Sequence, residues 1–128
     1  SLGYTHVQAR VLRLDFLMEN RRFAEADILA NQILDTDDNQ YNRALAESAR
    51  GRNFYERAEN SRAVSSFRRI RLIYREYPDI IVNAHYYYII SLIQIGALKE
   101  GQLALWEVQD LFTDDQIISI NKLLDEKR

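Results

Sequence analysis

The side chains best suited to acid–base or metal chemistry are two histidines, His6 and His85, and two carboxylate pairs, Asp37-Asp38 and Asp114-Asp115. Neither histidine sits in an H-x-x-x-H or H-E-x-x-H pattern, the spacing that puts two ligands on one helix face. Each carboxylate pair opens an apolar helical run, where acidic side chains cap free backbone N–H groups and complement the helix dipole. The sequence has no cysteine, which excludes disulfides, thiolate zinc sites and cysteine catalysis. No glycine-rich phosphate loop, nucleophile elbow or dinucleotide fingerprint occurs. These residues predict a protein that is not an enzyme and has neither cofactor nor metal.

Arginine and tyrosine offer recognition chemistry instead. Residues 43–77 hold nine arginines against four glutamates, while both flanks are acidic and the net charge of the 128 residues is −2. Aromatic residues interleave with this basic stretch: Arg50, Arg52, Phe54, Tyr55 and Arg57, then Arg68, Arg69, Arg71, Tyr74 and Arg75. Phosphate neutralisation with base stacking would use that mixture, so helical-repeat RNA binding is the alternative function. The overall charge, the presence of only three lysines, and arginines scattered around the helices argue against a nucleic-acid partner. They favour a salt-bridged surface, with Arg68, Arg71 and Arg75 as an alternative basic patch for an acidic protein. Tyr86, Tyr87 and Tyr88 point about 100° apart on a helix, so they cannot all enter one core.

The elements that must position these residues are helices. One proline and four glycines are too few for a turn-rich β protein. Apolar residues recur at three, four and seven, as in Leu98, Leu105, Val108, Leu111 and Phe112, or Ile117, Ile120, Leu123 and Leu124. Caps divide the chain: Asp37 with Gln40, Asn60-Ser61, Pro78-Asp79, a left-handed Gly96, and Thr113 with Gln116. The expectation is an all-α domain with helices over 4–20, 22–36, 40–58, 61–77, 80–95, 98–112 and 115–127. No run reaches the roughly 18 apolar residues of a membrane span. The sequence begins with serine and shows no signal peptide, so it reads as a domain excised from a longer protein.

Three internal copies set the architecture. Small residues Ala26, Ala63 and Gly101 are followed four residues on by Ala30, Phe67 and Leu105, and seven on by Ile33, Ile70 and Val108. Nine residues before each lie Leu17, Phe54 and Leu92. A helical hairpin with this pattern cannot bury its apolar face alone and must stack on neighbours. The small–aromatic–aliphatic spacing of Ala63, Phe67 and Ile70, with Gly96 between helices and Gly51 inside the first helix of the second copy, resembles the tetratricopeptide family. The copies are 37 to 38 residues apart against the family's usual length of about 34, which implies slightly longer helices or linkers. The tract from Phe67 through Tyr77-Pro78-Asp79 to Tyr87 is similar to members found among bacterial cell-envelope lipoproteins and periplasmic assembly factors.

The resemblance implies a right-handed superhelical stack of three hairpins, over about 4–36, 40–77 and 80–112, closed by a C-terminal helix at 115–127. It implies a non-catalytic scaffold or adaptor that binds a partner peptide or helix in a concave groove, in a periplasmic or membrane-associated setting rather than the cytoplasm. First helices would line that groove, presenting Val11, Asp15 and Met18, then Ser48, Arg52 and Tyr55, then Tyr86, Ile90 and Ile93, with Tyr88 turned inward beside Leu92. The expected partner-binding residues are Arg52, Tyr55, Tyr86, Ile90 and Ile93. The family's carboxylate clamp is not expected, since only Arg52 of the corresponding positions carries suitable chemistry. Self-association through an uncapped end of the stack is a further reading.

Overall fold

A computed structural model of the chain describes the backbone of residues 2–128 and the side chains from residue 9 onward; His6 lies outside the described side chains. The described residues form seven α-helices and no strand: α1 (Leu2–Glu19), α2 (Phe23–Thr36), α3 (Gln40–Glu56), α4 (Asn60–Ile73), α5 (Pro78–Gln94), α6 (Leu98–Val108) and α7 (Asp114–Lys127). None of them is long and apolar enough to cross a membrane. Consecutive helices pack from α1 to α6. In addition α1 touches α3, α3 touches α5, and α5 touches α7.

The repeated sequence produces a repeated turn. Arg21, Ala58 and Gly96 each adopt positive φ, at 56°, 59° and 86°. At each, the next residue's N–H closes a six-residue ring: Arg22 to Leu17 O, Glu59 to Phe54 O and Ala97 to Leu92 O, at 2.8–2.9 Å. A second bond spans the turn, from Arg21 to Met18 O, Ala58 to Tyr55 O and Gly96 to Ile93 O. This pair of bonds is the Schellman arrangement, which satisfies helix-terminal carbonyls that have no partner of their own. It also turns the chain sharply, so α2, α4 and α6 each begin two residues later. Only the third copy has glycine there. The other two carry a side chain in the left-handed region, which costs about 1–2 kcal/mol.

The remaining connections differ from one another. Between α2 and α3 the N-cap is Asn39, whose side chain accepts from Asn42 N–H. Asp37, the cap expected from sequence, lies two residues earlier and braces the turn, accepting from Asn39 N–H at 2.9 Å and Asn42 Nδ2 at 3.1 Å. The helix expected to reach residue 77 stops at Ile73. Pro78 disfavours helical backbone at Tyr77, and the chain unwinds over Tyr74–Tyr77 to let proline open α5. Helix α6 ends at Val108 and passes through a single 3-10 turn before the capping box of Thr113 and Gln116 starts α7.

Ala26, Ala63 and Gly101 are all buried, as are Ala30, Phe67 and Leu105. The tightest contact lies between α3 and α4. A Cβ on Gly51 would sit 2.7 Å from Phe67 Cζ, so the α3 backbone abuts the ring. The tip of the Phe67 ring meets Gly51, and its plane stacks on Tyr87 of α5, with centroids 5.3 Å apart and planes inclined by 16°. The ring therefore has nowhere to retreat.

Two substitutions separate packing from propensity. Helix propensity alone predicts that Gly51→Ala stabilises by about 1 kcal/mol. The Phe67 contact reverses that sign, and we expect a loss of about 1–3 kcal/mol from overpacking. Ala58→Gly should instead gain about 0.5–1 kcal/mol by relieving the left-handed turn. Chemical denaturation of both variants checks the opposite signs.

Candidate functional site

The contacts among α1, α3 and α5 leave a cleft of ≈ 270 Å³ that all three helices line. Helix α1 contributes Asp15, Met18 and Glu19; α3 contributes Leu45, Ser48, Ala49 and Arg52; α5 contributes Asp79, Ile80 and Asn83. Met18, Leu45, Ala49 and Ile80 make an apolar floor, and the polar groups stand at the rim. Three carboxylates face one guanidinium. Partial burial, reinforced by Glu19, raises the Asp15 pKa above its ordinary value, while Arg52 opposes the rise. Asp79 accepts a 2.5 Å hydrogen bond from Tyr41 Oη, which ties the first turn of α5 to the start of α3. The phenol pKa of Tyr41 rises in consequence, since that bond favours the protonated form.

Of the expected binding residues, Arg52 reaches this cleft, lying exposed with its guanidinium 5.6 Å from the centre of the Tyr87 ring. Tyr55 and Tyr86 are half-buried beside it in an aromatic array. Tyr55 meets Tyr87 edge-on at 5.7 Å, and Tyr86 meets Tyr87 at 5.6 Å and Phe112 at 6.0 Å. Burial raises the Tyr86 phenol pKa, against a smaller opposing effect of Ser119 on α7. Ile90 and Ile93 do not face solvent, with relative exposures of 6% and 0%. The cause is the position of α5, which packs against α3, α4, α6 and α7 and buries every residue from Tyr88 to Ile93. Helices α6 and α7 together cover the wall expected to stand open: Gly101 of α6 sits against Ile93, and α7 packs on α5.

The cleft also departs from the register of the repeats. Along α1, α3 and α5 its lining shifts by roughly one and a half turns per helix toward the N-terminus, because packed helices cross at an angle and equivalent residues diverge. Asp79, Ile80 and Asn83 replace Ile90 and Ile93 for that reason. Asp79 looked like a helix cap; its pairing with Tyr41 has no local sequence signal. Among the described residues no three His, Cys, Asp or Glu side chains lie close enough together to hold a metal ion.

Two members of the alternative basic patch are engaged within the fold. The Arg71 guanidinium lies 4.0 Å above the Tyr88 ring and its Nε donates to His85 Nδ1 at 2.9 Å. Arg68 covers the same ring at 5.7 Å and approaches Glu100 of α6 at 3.5 Å. Arg75 is exposed. These arginines join α4 to α5 and α6, so they do not form one free cationic face. Comparison with family models, with curated proteins and with solved structures found no match.

Burial, together with the neighbouring Arg71 charge, lowers the His85 pKa below its ordinary value of 6.5, against a smaller opposing effect of Glu107. Between that lowered value and 6.5 the unfolded chain binds a proton that the folded chain does not. Stability contributed by this site is therefore present above pH 6.5 and falls as pH drops toward the folded pKa. His85→Asn keeps an acceptor for Arg71 and removes the titration. Its melting temperature should lose less than that of the wild type between pH 7.5 and 5.

Proposed function

We propose that the chain is a tetratricopeptide-like interaction module, a non-catalytic scaffold or adaptor that binds a partner's peptide or helix in the cleft across α1, α3 and α5. One observation carries this reading: three alternate helices contact each other in sequence and jointly line a cleft with an apolar floor and a charged rim. The identical left-handed turns at residues 21, 58 and 96 support the repeat. The rim carries Asp15, Glu19 and Asp79 against Arg52, which complements a segment bearing a basic side chain beside apolar ones. Arg52 then addresses backbone carbonyls or a carboxylate of the bound segment. Charge complementarity of this kind sets orientation and rate of encounter, while the floor supplies affinity.

Selection of peptides from a random display library against the immobilised protein tests this. Selected peptides should be enriched in Lys or Arg next to aliphatic residues. Ser48→Trp, which fills the cleft from a half-buried position, should weaken their binding at least tenfold, and Asp15→Asn with Glu19→Gln should erase the basic preference. Equal binding to Ser48→Trp and the wild type would place recognition elsewhere.

Self-association has its own observation. Leu12, Phe16 and Ile28 on the first two helices are 53–67% exposed, as are Leu103, Trp106 and Ile118 on the last two at 46–63%. Exposed apolar side chains on the terminal helices lie where stacked hairpins would associate. If these surfaces meet, light scattering should show mass rising with concentration, and Phe16→Glu should return the protein to a monomer.

A further inference from the structure

A second cleft lies on the opposite side of α3. Arg50 and Phe54 stand roughly 160–240° around the helix from Ser48 and Arg52. With Arg62, Arg69 and the serines of the first turns of α4, they enclose ≈ 380 Å³. The guanidiniums of Arg50 and Arg62 each lie 5.8 Å from the centre of the Phe54 ring. Beneath them is Glu47, whose side chain is 2% exposed. Its carboxylate accepts from Arg69 Nη1 at 2.7 Å on one oxygen and from Arg50 Nη1 at 3.4 Å on the other.

That buried carboxylate does two things. It pins two arginines from different helices in one place, so they need little further ordering to bind a ligand. It also takes only one donor from each guanidinium, which has five. The side chains of Arg50 and Arg69 remain 28% and 51% exposed. Arg62 is exposed and has no carboxylate within salt-bridge distance among the described residues. Arg57 also borders Phe54 but is committed to Asp27 at 2.7 Å. Three cations thus surround one anion, which leaves an excess of two positive charges in a cleft with hydroxyls at its edge.

We propose that this cleft binds a phosphomonoester dianion, carried on a side chain of a partner peptide. The excess charge matches the charge of about −1.5 to −2 on a phosphomonoester near neutral pH, whereas a carboxylate would satisfy half of it. Guanidinium forks suit phosphoryl oxygens. The Phe54 ring forms an apolar back wall for the methylene of a phosphoserine. A polynucleotide fits less well, because its diesters carry one charge each and need a continuing cationic track. Arg68 and Arg71, the next arginines along α4, are turned to Tyr88, His85 and Glu100. The inference does not depend on the α1–α3–α5 cleft.

The test uses short peptides centred on phosphoserine, glutamate or serine, with inorganic phosphate and a single-stranded RNA as further probes, followed by NMR of arginine Nε–H groups. The phosphoserine peptide should shift Arg50, Arg62 and Arg69 and bind at least tenfold more tightly than the glutamate or serine peptides. Arg62→Gln, an exposed change outside every ion pair, should cost roughly tenfold in that affinity. Arg75→Gln, outside the cleft, should cost nothing. Inorganic phosphate shifting the same three arginines more weakly supports the peptide-borne ligand. Phosphate binding as tightly as the peptide overturns the peptide and leaves a free anion. RNA binding more tightly than the phosphopeptide, with the same Arg62 dependence, overturns the proposal in favour of nucleic acid. Equal binding to Arg62→Gln and Arg75→Gln, or no binding at all, removes the site.

Discussion

The contact on which most of the structure depends is the Phe67 ring against the bare backbone of Gly51. Any side chain at residue 51 would hold α4 away from α3. With none there, the ring enters fully, tip against the α3 backbone, and stacks on Tyr87. Three helices from two hairpins are joined by one side chain. Tyr87 then organises what surrounds it, through edge contacts to Tyr55 and Tyr86 and a cation–π contact with Arg52. Tyr86 carries the chain of rings on to Phe112. Each such aromatic contact is worth about 0.5–1.5 kcal/mol beyond its buried area. Their greater consequence is positional, since Arg52 reaches the first cleft from the face of a ring that is itself immobilised.

Helix α3 is central yet polar, and its arrangement explains both clefts. Toward α2 it presents Ala46, Ala49 and Asn53, with Asn53 Nδ2 donating to Asp27 at 2.6 Å. Toward α4 it presents Gly51. The two remaining directions carry Ser48 with Arg52, and Arg50 with Phe54. Small residues on the packed faces let flanking helices approach closely, so long arginines are confined to the faces between neighbours. A buried carboxylate is costly unless paired and hydrogen-bonded. Glu47 meets that condition only because Arg69 of α4 and Arg50 of α3 arrive together, which makes the ion pair a consequence of the α3–α4 contact.

Much of the fold was legible because its determinants are local. Helix periodicity and the left-handed Gly96 act within a few residues of themselves, and the small Gly101 meets Ile93, Ile89 and Leu92 of the helix just before it. Asn39 displaced Asp37 as a cap through a choice between adjacent residues that both suit the role. What sequence could not supply was the relation between helices. The groove moved along α5 from Ile90 and Ile93 to Asp79, Ile80 and Asn83 because crossing angles depend on packed surfaces. The burial of Ile90 and Ile93 depends on how α5 packs against its several neighbours. The arginines were visible as a composition, but their division between Tyr88 on one side and Phe54 with Glu47 on the other required the three-dimensional pairing.

A net charge of −2 conceals two surfaces of opposite sign. The cleft of Asp15, Glu19 and Asp79 and the cleft of Arg50, Arg62 and Arg69 are separated by α3, a cylinder of about 10–12 Å with its side chains. At physiological salt the screening length is about 8 Å. A unit charge in one cleft therefore acts on the other through water by only about 0.1 kcal/mol. Direct electrostatic coupling between the two is weak, and ligands of opposite charge can occupy them without mutual penalty. Stronger coupling would need α3 to shift against α4. That motion is opposed by Phe67, held between Gly51 and Tyr87, and by the Glu47 carboxylate shared with Arg69. The same packing that creates two clefts keeps them independent.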